Sequence, residues 1–457
     1  MKIARFYRQR PLLFEIVNPL NKFIKMEAFS GILLMIVTLL ALVLANSSLS
    51  GYYFGFFQQK LTFAFESFEI SKPLILWIND GLMAIFFFLV GLEIKRETQI
   101  GELSSLKTAT LPAFAAVGGM LVPALFYELF NYSGSGWPGW GIPMATDIAF
   151  ALGVITLLGS RVPLSLKLFL TALAIVDDIG AVIVIALFYS SKIYYEALIV
   201  AGLLFAVLMM LNAFKVYRVS IYLIIGVFLW VALLKSGVHA TIAGILLAIT
   251  IPGKAKRSVD ECVMSNESVL NRLKDKSIPD DNLDPKKDKK LIGAIYTIGN
   301  NCTQSVSPLL RIEHSLHSWA AYLIIPLFAF ANAGIIFKPS LMADIGNPIA
   351  VGIFAGLVLG KPIGIALFSL LATRLKLASL PAGVKWKHII GAGFLGGIGF
   401  TMSIFIDNLA FVTDPYNIEI AKIGILFSSL IAGVIGYILL FMAGKPQDKK
   451  TSKPGTI

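Results

Sequence analysis

The sequence predicts an all-α polytopic membrane protein with about twelve transmembrane helices. Of its 457 residues, 57% are hydrophobic and only 14% are charged, whereas a soluble domain carries about a quarter charged residues. Apolar runs of roughly twenty residues, long enough to cross a bilayer as a helix, recur along nearly all of the chain. The Lys and Arg residues between those runs fall in alternate loops, as they do when one side of a membrane collects positive charge.

By run length the spans fall at about 27–47, 74–92, 109–130, 139–159, 163–189, 196–214, 219–234, 237–251, 318–337, 347–372, 388–410 and 417–442. The basic start, "MKIARFYRQRPLLFEIVNPLNKFIKMEAFSG", precedes an apolar run that begins late and is long. That pattern reads as a retained first helix, not a cleaved signal peptide. Residues 48–73, with "GYYFGFFQQK", read as an extracytoplasmic, partly interfacial excursion. The break Lys235-Ser236-Gly237 separates the two shortest spans.

The basic loops are the N-terminus, "KRETQIGELSSLK", "GSRVPLSLK", "KVYR", 253–316, "TRLKLASLPAGVKWK" and "KPQDKKTSK". With twelve spans they all lie on one side, which places both termini in the cytoplasm. The organisation expected is therefore a cytoplasmic segment 1–26, helices one to eight over 27–251, a long cytoplasmic loop 252–317, helices nine to twelve over 318–442 and a tail 443–457. The polar part of the loop, 252–312, reads as a flexible insertion. Its Cys262 and Cys302 have no metal-ligand spacing, and no disulfide is expected in a cytosolic loop. The net charge of +12 is the loop charge of a membrane protein, and no nucleic-acid partner is expected.

Four ionisable residues break the apolar pattern at mid-depth. In "TALAIVDDIGAVIVIALF" Asp177 lies about fifteen residues into the fifth span, or ~22 Å along a helix of ~40 Å, with Asp178 beside it. In "GWGIPMATDIAF" Asp147 follows Thr146, and Gly139, Gly141 and Pro143 disfavour an unbroken fourth helix. In "LVLGKPIGIALF" Lys361 lies midway along the tenth span. Charges so deep cost several kcal/mol and mark function or ion pairing. Static stapling between helices would need balanced charges, but three acids face one lysine. The surplus carboxylate takes a proton or a cation, and that choice is the chemistry of exchange. Asp80, nearer the outer end of its span, reads as pathway lining or as a solvated group at a funnel mouth. Asp407, close to the end of span eleven, reads as solvated.

Gly141–Phe150, "GIPMATDIAF", aligns with Gly396–Phe405, "GGIGFTMSIF", at Gly, Thr and Phe. Both are interrupted at mid-depth in spans running opposite ways, the pattern of inverted repeats whose broken, crossing helices, here the fourth and eleventh, frame an ion site. The candidate repeats are spans three to five and ten to twelve.

Over nearly its whole length the chain resembles the NhaA family of bacterial sodium/proton antiporters. The motifs are "WINDGLMAIFFFLVGLEIKRE", "MATDIAFALGVITLLGSRVP", "LAIVDDIGAV", "KSGVHATIAG", "PLFAFANAG", "GKPIGIALF" and "GGIGFTMSIFI". The resemblance implies twelve helices in a bacterial inner membrane, with Asp178 as the central cation and proton carrier. It implies Asp177 as the partner of Lys361, and Thr146 with Asp147 as assistants that compensate helix ends. It further implies activation at alkaline pH through a cytoplasmic cluster matching Glu93, Arg96, Glu97 and Glu313, with His239 at a pH-influencing position. Alone, the Glu93–Glu97 segment would read as a solvated helix end, and His239 as a core histidine. The departure from the family is the long 252–312 loop just before Glu313.

The expected function is electrogenic exchange of cytoplasmic Na+ or Li+ for external protons, without a cofactor and without enzyme activity. No GxxxxGK[ST] nucleotide motif is present. The partners are the transported ions and the lipid bilayer, with room for a homodimer. The rival readings are a cation channel, a proton-coupled transporter of another small solute, and a scaffold without transport.

Overall fold

The computed structural model describes residues 27–66, 68–190, 193–274, 289–337, 339 and 344–444. The segment 1–26 and the tail from 445 onward lie outside the described residues. Long apolar runs make most of the chain helical. In chain order these helices are α1 (Glu27–Ala45), α2 (Ser50–Gln58), α3 (Leu74–Ile100), α4 (Leu106–Asn131), α5 (Ile148–Leu157) and α6 (Leu164–Phe188). They continue with α7 (Tyr195–Ala213), α8 (Val219–Ser236), α9 (Ile242–Thr250), α10 (Val259–Lys274), α11 (Lys289–Gln304) and α12 (Pro308–Trp319). The last are α13 (Ile325–Asn332), α14 (Pro348–Arg374), α15 (Trp386–Gly396), α16 (Phe400–Ala410) and α17 (Pro415–Ala443).

Among the described residues, eight helical segments are long and apolar enough to cross a membrane, or ten if each of two bent pairs counts as one span. Twelve were expected. The run 237–251 yields only the nine-residue α9, because Gly237 turns left-handed at φ 82° and the chain turns again through His239–Thr241. The run 318–337 is not an independent helix either. Helix α12 starts at Pro308 and continues through a π-helical turn, Ala320–Ile324, into α13.

The chain divides into two compact units. The first contains α1, α2, residues 74–83, α4–α6 and the described chain from 320 onward. Helix α4 packs on α14 through glycines, and a Cβ at Gly118 would stand 2.3 Å from the Gly364 carbonyl oxygen. Such backbone contact is how helices associate tightly in lipid. The second unit holds residues 84–99 and α7–α12 around Leu92, Leu208, Tyr222, Leu229, Ala248 and Ile251. Helix α7 packs one face on this core and leaves the other, with Ile199, Val200, Leu203, Val207 and Met210, exposed, as a lipid-facing helix does.

Two segments outside the predicted spans have structure of their own. The excursion 48–73 is built from α2 and a β-hairpin, β1 (Lys60–Phe65) against β2 (Phe68–Pro73), so the fold is not purely helical. The alternation in "LTFAF" sets that strand, and Trp77 Nε1 donates to the Leu61 carbonyl at 3.1 Å. The loop 252–317 is largely helical in its described part. Its α10 and α11 pack on each other, with Asn301 donating to Ser265 Oγ and Asn266 Oδ1, both at 2.9 Å, and accepting from Arg257 at 2.9 Å. Apolar residues at helical spacing, such as Val259, Cys262, Val263 and Leu270, are diluted by polar ones there.

The glycine seam yields a stability prediction. Gly364→Val would drive a branched side chain into the α4 backbone at a cost of about 1–3 kcal/mol or more. A lowered thermal midpoint in detergent is expected, and a midpoint equal to that of the parent protein would contradict the packing.

Candidate functional site

The site is built where two interrupted segments of the first unit meet. The fourth predicted span is a 3-10 segment, Trp137–Met144, followed by three non-helical residues and then α5. Pro143 and the glycines around it deny this stretch a regular α-helix. The eleventh is α15 and α16, bent by 46° at Gly397–Gly399. The freed backbone groups pair across the two breaks. Asp147 N–H donates to the Ile398 carbonyl at 2.7 Å, and Ser403 Oγ donates to the Ile142 carbonyl at 2.7 Å.

Asp147 caps two helices at once. Its Oδ1 accepts from Phe150 N–H in the first turn of α5 at 3.0 Å. Its Oδ2 accepts from both Thr401 N–H at 3.1 Å and Thr401 Oγ1 at 2.5 Å, in the first turn of α16. One buried carboxylate thus meets two positive helix ends.

The cation meets the opposite ends. Lys361 is fully buried, and it starts the second α-helical part of α14 directly after a π-helical turn, Ala355–Gly360. Its ammonium donates to Asp177 Oδ2 and to the carbonyl of Met144, the last residue of the 3-10 segment. The lysine stem runs past Gly119 and Gly396, where a Cβ would come within 3.7 and 3.9 Å of Cε.

Asp177 and Asp178 lie mid-way along α6, each 1% exposed. Thr146 Oγ1 stands 2.6 Å from Asp177 Oδ2 and 2.8 Å from the Gly396 carbonyl, so its single proton can serve either acceptor. Asp178 acts on Lys361 electrostatically. The structure therefore brings together Thr146, Asp147, Asp177, Asp178 and Lys361. Sequence reasoning passed over Thr401, although it aligned with Thr146 in the internal echo.

Asp80 stands apart from these residues in its bonding. It occupies a π-helical turn of α3, Ile78–Leu82, and pairs with Lys72 of β2 at 2.9 Å. Asp407 is not solvated as expected but fully buried, because α16 packs against α17, α13 and the 3-10 segment.

The second unit holds a separate cluster. Arg96 Nε donates to Glu313 at 2.7 Å, Arg96 Nη1 pairs with Glu97 at 2.8 Å, and His317 lies 3.6 Å from Glu93. His317 was not foreseen. Burial pushes the Glu313 carboxyl above its ordinary range, Arg96 pulls it down and Glu93 adds to the rise. A cavity of about 580 Å³ opens among Arg96, Arg311, Glu313, His314 and His317. His239 bonds Thr241 Oγ1 through Nδ1 at 2.8 Å.

A helical membrane protein that buries carboxylates and a lysine around interrupted helices has the build of a secondary ion transporter. The profile of the family described as Na+/H+ antiporter 1 matches residues 21–440, and the chain belongs to that family. It is 48% identical over 437 residues to the Na(+)/H(+) antiporter NhaA of Oleidesulfovibrio alaskensis, covering 95% of this chain and 96% of the relative. It is 47% identical to the proteins of that name from Tolumonas auensis (96% and 98% covered) and Escherichia coli O139:H28 (93% and 99%). A solved structure of the sodium proton antiporter MjNhaP1 from Methanocaldococcus jannaschii covers 94% of this chain and 98% of its own. Its TM-score of 0.45 and 14% identity are too slight to define the fold.

The double cap can be tested through Thr401→Val, which keeps the shape and removes the hydroxyl donor to a charged acceptor. A loss of about 1.5–3 kcal/mol is expected, read as a lowered unfolding midpoint. An unchanged midpoint would deny the bond its role.

Proposed function

We propose that the chain exchanges cytoplasmic Na+, or Li+, for external protons across a bacterial inner membrane, electrogenically and with both termini in the cytoplasm. The observation that carries this reading is the uneven charge of the buried site. Lys361 meets Asp177, while Asp178 adds a second carboxylate beside them.

The donors available to a cation are carboxylate, hydroxyl and carbonyl oxygens, the hard ligands that alkali ions take. Na+ is held by Asp178 and Asp177, with Thr146 Oγ1 turning its lone pairs inward once its proton points to Gly396. The ion displaces the Lys361 ammonium from Asp177, leaving the lysine on the Met144 carbonyl. Two protons from the other side expel the ion, one onto Asp178 and one onto Lys361, which gave up its own when the cation arrived, and the ammonium returns to the Asp177 carboxylate. Asp147 keeps the two positive helix ends neutralised in both states and takes no proton. The fourth and eleventh spans act as the crossed pair of an inverted repeat, and rocking of one bundle against the other alternates access. The proton-motive force drives the cycle. A homodimer in the lipid bilayer is compatible with this scheme.

The sign of the pH dependence follows from Glu313. Its carboxyl, held above the ordinary range by burial, stays protonated to a higher pH than an exposed glutamate. The Arg96–Glu313 ion pair therefore forms as pH rises and is lost on acidification, in the sense required for activation at alkaline pH. Glu93, Glu97 and His239 complete the proposed regulatory set, and Asp80 lines the entry path.

Asp178→Asn should abolish the Na+-induced pH change in everted vesicles, and near-parent exchange in that variant would sink the site assignment. Glu313→Gln, which cannot form the ion pair at any pH, should flatten the pH profile of exchange. A profile superimposable on that of the parent protein would remove Glu313 from regulation.

A further inference from the structure

Asp407 and Lys422 take no part in the exchange site as drawn. Asp407 is fully buried on α16, and neither of its carboxylate oxygens accepts a hydrogen bond. Lys422, half-buried on α17, acts on it electrostatically without bonding it. The contrast is with Asp147 and with Oδ2 of Asp177. Both oxygens of Asp147 are held by donors, and Asp177 holds Lys361 and Thr146 through Oδ2. A buried carboxylate without donors is costly when charged. A proton can therefore arrive at or leave Asp407 without breaking any hydrogen bond.

Its position suits proton traffic. Asp407 lies six residues beyond Thr401 on the same helix, ~9 Å along its axis. The neighbouring Asn408 donates to Asn332 at 3.0 Å, and Asn332 and Asn79 exchange amide hydrogen bonds at 2.8 and 3.2 Å. A run of amides, buried at Asn79 and Asn332 and partly exposed at Asn408, thus joins the surroundings of Asp407 to those of Asp80, the residue after Asn79.

The geometry points to Asp407 as a proton-binding residue of the exchange cycle, with Lys422 offsetting its charge. It takes a proton onto one carboxylate oxygen from water on the side of residues 411–414 and releases it toward the Asp177–Asp178 site. Only O–H bonds form and break. The titratable group that acts on it is Lys422 from α17, on which Glu419 acts in turn, and Asp407 itself acts on Tyr127 of α4. The 3-10 segment and α13 present none. This role rests on the exchange reading above.

The test compares Asp407→Asn and Asp407→Glu in proteoliposomes and by infrared difference spectroscopy. Asp407→Asn is expected to lower Na+-driven proton flux roughly tenfold or more and to remove one step from its pH profile, with half-saturating Na+ unchanged. Asp407→Glu should restore both. The acid-minus-alkaline infrared difference should lose one protonated-carboxyl band in the Asn variant. A parent-like pH profile with the band retained would overturn the inference. So would recovery of full flux in Asp407→Asn/Lys422→Gln, the signature of a static charge pair. If the unaltered protein itself moves no protons with sodium, the exchange reading fails and the role of Asp407 falls with it. Normal exchange in the unaltered protein alongside an unaffected Asp407→Asn variant removes Asp407 alone.

Discussion

An ammonium buried among apolar helices requires a matched negative group, and Lys361 imposes that condition on everything around it. Its partners come from separate elements, the Asp177 carboxylate from α6 and the Met144 carbonyl from the end of the 3-10 segment. Removing one partner of a buried pair leaves an uncompensated charge, at a cost of roughly 3–5 kcal/mol. Three elements must therefore reach the same depth together. The glycines at 119 and 396, which leave space for the lysine stem, serve that convergence.

The interrupted helices extend the same logic to the backbone. An α-helix that ends inside a membrane exposes unsatisfied N–H groups at one end and carbonyls at the other. Here the N–H ends of α5 and α16 converge on one carboxylate, Asp147. The carbonyl ends of the 3-10 segment and α15 receive an ammonium and a hydroxyl, from Lys361 and Thr146. At the breaks each helix end meets its opposite, so they are tolerated and the site stays polar within an apolar surround.

Much of this was legible in the chain because charge is conspicuous in an apolar run. Asp147, Asp177, Asp178 and Lys361 stand out for that reason, and all four are buried within the first unit. Thr401 was harder to see, since a hydroxyl disturbs an apolar pattern little. Asp407 was misjudged because depth counted along the chain says nothing of lateral packing, and it is α17, α13 and the 3-10 segment that shut out water. The helices within 252–317 were missed because their apolar residues are thinly spaced among polar ones. The bounds of the eighth and ninth helices were not legible because run length ignores where the backbone turns. At Gly237 the chain reverses inside an apolar run, and at Pro308 a helix begins before one.

The seam between Gly118 and Gly364 has a mechanical meaning. Two helices touching backbone to backbone cannot slide past each other without collision, so α4 and α14 behave as one stiff beam. Lys361 is mounted on that beam three residues from the contact. Retracting its ammonium from Asp177 by shifting α14 along its axis is therefore closed off. In the proposed cycle the ammonium would then move only as far as a four-carbon side chain swings.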